Sequence, residues 1–362
     1  MNTPLARAST LELSAAAEAT CSAAEVTPAA REQWDRFVRG HVDATGYHLW
    51  AWRSVFERGL GHRCHYLFAR ESGQITGVLP LVEMRSWLFG HVLSSLPYVN
   101  YGGVLAATDN ARRALLAEAS RLARERSASY VVLRHRRRTF PDLAARTHKV
   151  TMLLPLAPDC ESMWSGLDRK VRNQIRKAEK SNLTTVAGGL ELLPEFYAVF
   201  ARNMRDLGTP VYGKALFEEI LLNFPRDARI HLARLNGQAI AGAFSYAFGN
   251  TIEVPSASSL REHRSLCPNH LLYWSIMKEA IGDGRTTFDF GRSTPNDGTY
   301  HFKEQWGAAP EQLWWEYRMS KGGDVPTADR QSSAFHATIE AWKRLPLAVA
   351  TGVGPWIARS VP

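Results

Sequence analysis

Apolar positions along this chain alternate between two periods, and the alternation predicts its elements in order. Trp34, Phe37 and Val38 share one face of a helix over residues 28–39. Leu49, Trp52, Val55 and Phe56 do the same for a helix over 48–60, which Gly59 and Gly61 close. Strands follow over 64–70 and 75–83, joined by a Ser72-Gly73 turn, and a third runs over 92–96. A helix over 111–125 and a strand over 130–133 complete the first half. The second half opens with a strand over 151–156, a long helix over 159–182 and a short strand over 183–186. Helices over 190–207 and 214–224 lead into a meander over 230–235, 239–248 and 251–256, turned at Asn236-Gly237 and Gly249-Asn250. A helix over 268–281, a strand starting at Thr287 and a last strand over 312–319 end the pattern. Helices, hairpin, third strand, helix and strand occur in that order twice, which predicts an α/β (α+β) protein made of two copies of one unit, with a cleft between them. The expected boundaries are a flexible tail at 1–27, a first domain at 28–149, a second at 150–320, and a linker, short helix and C-terminal tail at 321–362.

With 45% hydrophobic residues and 11 tryptophans, the composition excludes a disordered chain. The 44 Lys and Arg against 35 Asp and Glu give a net charge of +9, which favours anionic partners. Four cysteines (Cys21, Cys64, Cys160 and Cys267) lie too far apart in sequence to suggest a zinc cluster or a disulfide framework, as expected in a reducing cytoplasm. No stretch reaches the ~20 apolar residues of a membrane span. Residues 345–358 are the most apolar of the tail but are broken by Gly and Pro, so membrane contact is expected to be peripheral, at the inner membrane. There is no helix-turn-helix, RNP-type aromatic pair or zinc-finger spacing, which argues against DNA as a partner. Nor is there a nucleophile elbow, an H-E-x-x-H or a phosphate loop.

The chemistry concentrates between Pro268 and Trp306. Pro268 suits a first helical turn, and Asn269 and His270 follow it. Phe288 and Phe290 alternate with Asp289 and Gly291 along a strand, and Arg292, Tyr300 and Lys303 come just after. Acid and cation at element ends are what an α/β site requires. Farther up the chain, Arg169, Arg172, Arg176 and Lys180 share one helical face; this is either a solvated face or a grip for phosphate. The run Arg134 to Arg138 reads as a solvated strand exit, with a polyanion track as the alternative. Asn203, Arg205 and Tyr212 surround a tight turn, either as local polar pairs or as a substrate clamp. Tyr98, Asn100 and Tyr101 precede Gly102-Gly103, where a ligand can approach the backbone closely.

These motifs, taken jointly over roughly residues 28 to 320, resemble the Fem-type (FemAB-like) branch of the GNAT acyltransferase superfamily. The likeness is to the FemAB-like proteins associated with PEP-CTERM/exosortase exopolysaccharide systems in particular. It implies tandem GNAT-like domains, each a mixed, largely antiparallel sheet flanked by helices. It also implies transfer of an acyl or aminoacyl group to an amine or hydroxyl of an envelope or exopolysaccharide precursor. The donor would be acyl-CoA or aminoacyl-tRNA, with no tightly bound cofactor and no metal. Two departures stand out. Residues 260–267 contain no glycine where acetyl-CoA-binding members carry a glycine-rich pyrophosphate turn, and neither half has room for a helical tRNA arm.

For direct attack in a ternary complex, Asp289 or Glu253 would orient or deprotonate the acceptor, and backbone N–H groups over 253–256 would hold the oxyanion. Tyr212 or Tyr300 would protonate the leaving group. Arg172, Arg176, Arg292 and Lys303 would bind phosphates of a phosphate-bearing or sugar-precursor substrate. Tyr98, Asn100, Tyr101, Asn203, Arg205, Asn269 and His270 would complete the substrate site, and Arg261 and Arg264 the donor site. On this reading Asp289, Arg292 and Lys303 lie together at a cavity. The competing reading is a non-catalytic binder of anionic glycan or lipid-linked sugar.

Overall fold

The computed structural model describes residues 21–86, 90–325 and 333–361. Residues 1–20 of the expected tail and 326–332 of the expected linker lie outside it. In chain order the first lobe comprises β1 (Ser22–Glu25), α1 (Arg31–Gly40), α2 (Trp52–Ser54, prolonged by a π-helical turn, Val55–Gly59), β2 (Arg63–Glu71) and β3 (Gln74–Ser86). It continues with β4 (Gly90–Ser94), β5 (Leu105–Ala106), α3 (Asp109–Glu125), β6 (Tyr130–His135) and β7 (Ala144–Arg146). The second lobe begins with β8 (Val150–Pro155), α4 (Cys160–Gly166), α5 (Arg169–Lys180), β9 (Leu183–Gly188), α6 (Leu193–Asp206) and α7 (Lys214–Asn223). Next come β10 (Ala228–Leu235), β11 (Gln238–Phe248), β12 (Thr251–Ser259), α8 (Pro268–Gly282), β13 (Thr287–Ser293), α9 (Gly298–Glu304) and β14 (Ala309–Gln312). Last are β15 (Trp314–Met319), α10 (Ser333–Lys343) and α11 (Leu347–Ala358).

Local chemistry explains where the elements stop. Thr108 caps α3 by accepting from the Ala111 N–H at 3.1 Å. The single helix expected over 159–182 is two, because Leu167 is extended and the Asp168 carboxylate accepts from the Lys170 N–H at 2.7 Å, starting a new helix. Ser22 to Glu25, expected in the tail, pair antiparallel with β2 as an edge strand. The apolar run after Leu345, read as a broken tail, is the helix α11.

Two sheets result. The first has the order β1-β2-β3-β4-β6-β15-β7, with β5 also paired to β3; the second has the order β14-β8-β13-β12-β11-β10-β9. Among the described residues, β4 with β6 and β12 with β13 are the pairs that run parallel. This is the tandem arrangement of mixed, largely antiparallel sheets that the resemblance implied. One strand crosses over: β15, at the end of the segment assigned to the second domain, lies between β6 and β7 of the first sheet. The lobes also share a core, in which Trp34, Trp52 and Phe56 of the first pack with Phe196, Phe217 and Phe244 of the second. Separate cores lie under α3 and between α5, α8 and the second sheet.

The loop before β5 is held tightly. His135 accepts from the Val104 N–H through Nε2 at 2.9 Å, so its Nδ1 carries the proton donated to Glu316 at 2.6 Å. A Cβ on Gly103 would stand 2.1 Å from Cδ2 of that ring and 2.8 Å from the Arg134 carbonyl. Gly103→Ala is therefore expected to cost about 2–3 kcal/mol, read as a lower denaturant midpoint.

Candidate active site

Glu253 and Asp289 are neighbours across the parallel β12–β13 pair. Asp289 is wholly buried: Thr151 Oγ1 donates to its Oδ1 at 2.6 Å, the Gly291 N–H to the same oxygen at 2.8 Å, and the Tyr101 hydroxyl to Oδ2. Asn100 Nδ2 donates to Glu253. Tyr101 and Asn100 belong to the first lobe, so the two acids receive its loop and pin the lobes together. Lys303 lies next to them, buried, donating to the carbonyls of Gly291 at 2.9 Å and Arg292 at 3.0 Å. Burial lowers its pKa to about 8 against the pull of Asp289, Asp297 and Glu253. Asp289, Arg292 and Lys303 thus lie together as expected, but none of them lines either of the two cavities described below. The physical reason is that every Asp289 oxygen already has a protein donor, and the loop of residues 97–103 closes over the pair.

Burial holds both carboxyls above their ordinary range; the Asp289 charge adds to this for Glu253, while hydrogen bonds from Thr151 and Tyr101 oppose it for Asp289. Such a carboxyl binds its proton more tightly folded than unfolded. Its contribution to stability is complete below the unfolded pKa, near 4.5 for Glu253, and is lost as pH rises through the folded value. Glu253→Gln, neutral throughout, is expected to gain on the parent protein as pH is raised from about 4.5 to neutrality, in denaturant melts taken at each pH. The difference between the two cancels an opposite trend. Burial lowers His48 and His231 to about 3 and His62 and His270 to about 4, so protonating them destabilises the fold in acid.

The cavity suited to a substrate is bordered by β12 beyond Glu253, at residues 255–258. It measures about 280 Å³ and is lined by Tyr47, Trp52, Phe56, Tyr98 and Val99 of the first lobe and by α6, α7, β11 and residues 255–258 of the second. β12 creates it. Its register with β11 slips between Phe244 and Tyr246, so that Val254 and Pro255 together oppose Ser245. Its pairing with β13 ends at Glu253–Asp289. From Val254 onward one edge of β12 therefore has no paired strand among the described residues. The residues there are small, so space remains beneath Phe200, Phe217 and Phe244.

Polar groups line one side of this cavity. Asn203 Nδ2 donates to Ser258 Oγ at 3.1 Å, and its Oδ1 accepts from Arg264 at 3.0 Å. The rings of Tyr98 and Tyr212 meet edge to face at 5.6 Å. The Tyr98 hydroxyl donates to the Arg359 carbonyl and accepts from His62 Nε2 at 2.8 Å. Burial raises the Tyr212 pKa, with Arg292 and Arg134 pulling back. Tyr98, Asn203, Tyr212 and, through Asn203, Arg264 are thus brought to one place.

Other expected site residues lie elsewhere. Arg205 donates to Asp206 at 2.6 Å and to the Leu345 carbonyl at 3.1 Å, facing the C-terminal helices. Arg172 and Arg176 sit on α5, where Arg176 is exposed and covers Trp164 at 5.3 Å. Tyr300 packs against the second core, and His270 stacks on Trp306 at 5.7 Å at the start of α8, beside Asn269. Arg261 is exposed. In the stretch 260–267, which lacks the glycine-rich turn, residues 261–266 form a 3-10 helix, and Cys267 enters α8 at φ 58°, a conformation more usual for glycine. The run Arg134 to Arg138 is no simple loop. Arg134 and His135 are buried in β6, with the Arg134 guanidinium 4.2 Å from Trp315. Arg136 is clamped by Glu311 at 2.8 and 2.9 Å and Arg137 by Asp43 at 3.3 Å, on the wall of a cavity of about 340 Å³ in the first lobe.

The cavity wall is hard to see in the sequence: Phe200 on α6 and Phe217 on α7 fall on buried helical faces and look like ordinary core. The signal for it is the run Pro255 to Ser259, five small residues in a row: the expected strand over 251–256 continues through them to Ser259.

Residues 166–304 match the family described as acetyltransferase (GNAT) domain. No curated protein matches the chain. Among solved structures, FemX superposes with a TM-score of 0.61 at 17% identity, covering 81% of this chain and 96% of that one. A tandem GNAT protein from the clavulanic acid biosynthesis pathway gives 0.54 at 11% identity, covering 84% and 100%. L-PGS from Bacillus licheniformis gives 0.53 at 12%, covering 88% and 97%. At these identities the likeness is one of fold. Residues 166–304, which include β12 and the Asn203–Arg264 pair, are therefore similar to a GNAT acetyltransferase domain, and the chain as a whole has a tandem GNAT fold.

Proposed function

We propose that the chain transfers an acyl or aminoacyl group to an amine or hydroxyl of a cell-envelope or exopolysaccharide precursor, inside the cavity between the lobes. The observation that carries this reading is the edge of β12 that loses its partner at Val254, next to a partly open cavity lined by Pro255 to Ser258. A donor with amide groups in an extended arm would add to that edge as a strand does. Its carbonyl would then sit against β12 backbone N–H groups, which supply charge stabilisation for an oxyanion.

The acceptor nitrogen or oxygen attacks the carbonyl carbon, forming the new bond. The tetrahedral intermediate collapses with loss of the donor's thiolate or alkoxide. Tyr212, a phenol protonated at neutral pH, gives its proton to that leaving group and is re-protonated from the acceptor. In this scheme Asp289 and Glu253 position the lobes instead of acting as bases. Asn203, fixed by Ser258 and Arg264, orients the substrate, and Arg264 supplies positive charge at the same place.

Calorimetric titration with acyl-CoA and with aminoacyl-tRNA, followed by mass analysis of the acceptor, tests the proposal. One donor class is expected to saturate, and Asn203→Ala is expected to weaken it about tenfold through one lost hydrogen bond. If neither donor binds and an acidic glycan does, the protein is a glycan binder and the proposal is wrong.

A further inference from the structure

Helix α11 is packed inside out. Toward the protein it turns Ala350, Gly354 and Ala358, one residue per turn, and all three are buried. The fit is close: a Cβ on Gly354 would lie 2.8 Å from Val211 Cγ1 and 3.0 Å from the Val211 nitrogen. Toward solvent it turns Val349, Val353, Trp356 and Ile357, exposed by 43, 47, 69 and 38%. A helix of a soluble core does the reverse, hiding its large apolar side chains and showing its small ones. Most of the large exposed hydrophobic side chains of the described residues belong to this one face and to Val361 just after it. An exposed patch of this kind marks a contact surface.

Its charges indicate what covers it. From Ala341 to Pro362 the chain has Lys343, Arg344 and Arg359 and no acid. The Arg359 guanidinium lies 4.4 Å from the Trp356 ring, placing a cation and an indole side by side at the edge of the apolar face. A second copy of the same face, docked about a two-fold axis, would bring these cations against their own kind. A headgroup layer rich in phosphate receives all of them: apolar side chains among the acyl chains, Trp at the interface, Arg and Lys on the anions. No helix among the described residues is long and apolar enough to cross a membrane, so contact by α11 would be lateral.

We propose that α11 seats the protein on the surface of an anionic phospholipid bilayer. The seat lies beside the cavity between the lobes. Tyr98 lines that cavity and its hydroxyl holds the Arg359 carbonyl, while Leu207, half exposed, lines it from the end of α6. Docking thus brings the cavity to the membrane plane, where an acceptor carried on a lipid would be found. The docking itself does not depend on the acyl-transfer reading.

Co-sedimentation of the full chain with vesicles tests it, using phosphatidylcholine alone and phosphatidylcholine mixed equally with phosphatidylglycerol. The mixed vesicles are expected to bind the protein and the neutral ones to bind it at least tenfold less, with binding falling as salt is raised. Trp356→Glu is expected to weaken binding by roughly tenfold or more, and Arg344→Gln by roughly fivefold. Neither side chain is buried, so an unchanged thermal melt shows that the fold is kept. Equal binding of the parent and Trp356→Glu, or equal binding to both vesicle types, would overturn the proposal. So would a dimer in sedimentation that Trp356→Glu dissolves while no vesicle binds.

Discussion

Asp289→Ala is expected to lower the unfolding free energy by about 3–5 kcal/mol, the usual result of removing the acceptor from a buried site with three hydrogen-bond donors. Three donors lose their acceptor at once: the Thr151 hydroxyl, the Tyr101 hydroxyl and the Gly291 N–H. Tyr101 reaches Asp289 from the other lobe, so the damage falls on the joint between lobes as well as on the second sheet. Asp289→Asn keeps an oxygen for Thr151 and Gly291 and is expected to cost about 1–2 kcal/mol. The pair of variants separates a positioning residue from a base. A base changed to amide would lose nearly all turnover in a protein of almost normal stability. A positioning acid gives turnover that follows stability and survives in the amide. Denaturant melts beside initial rates decide it, and abolished turnover in a stable Asp289→Asn protein would restore the catalytic role first expected for it.

The second large effect is expected at Tyr212. Tyr212→Phe removes the proposed proton donor and leaves the ring against Tyr98, so kcat should fall by roughly a hundredfold to a thousandfold with KM nearly unchanged. A phenol is protonated at neutral pH, and burial, which raises its pKa further, does not alter that. Tyr300→Phe serves as the control. Tyr300 shared the leaving-group assignment in the sequence, but it packs against the second core away from the cavity and its variant should turn over normally. A Tyr212→Phe enzyme within a few-fold of the parent would remove Tyr212 from the chemistry.

The contrast between those two tyrosines shows what the residue order revealed. Periodicity located the strands and most helices because burial repeats every two or every 3.6 residues regardless of distant partners. It also drew attention to Asp289, Lys303, Asn203 and Tyr212, polar residues at the ends of apolar elements. It did not show which of them face one another. Asp289 and Tyr101 are 188 positions apart in the chain. A contact across that separation leaves no periodic trace. Register slips are equally silent, so the bulge that turns Pro255 to Ser258 into a cavity floor was read as a strand ending at Ser256. Residues 345–358 misled in the opposite direction. Gly352, Gly354 and Pro355 argue against a helix, yet the small side chains are what allow α11 to lie close on Val211.

The placement of β15 bears on how the molecule is made. Its partner β6 leaves the ribosome some 180 residues earlier and must wait, with one edge unpaired, until the whole second lobe has been synthesised. The lobe that comes first in the gene is therefore the last to be completed. Cutting the gene near residue 149 would yield a sheet missing an interior strand, prone to pair with any exposed edge it meets, and not a free-standing module.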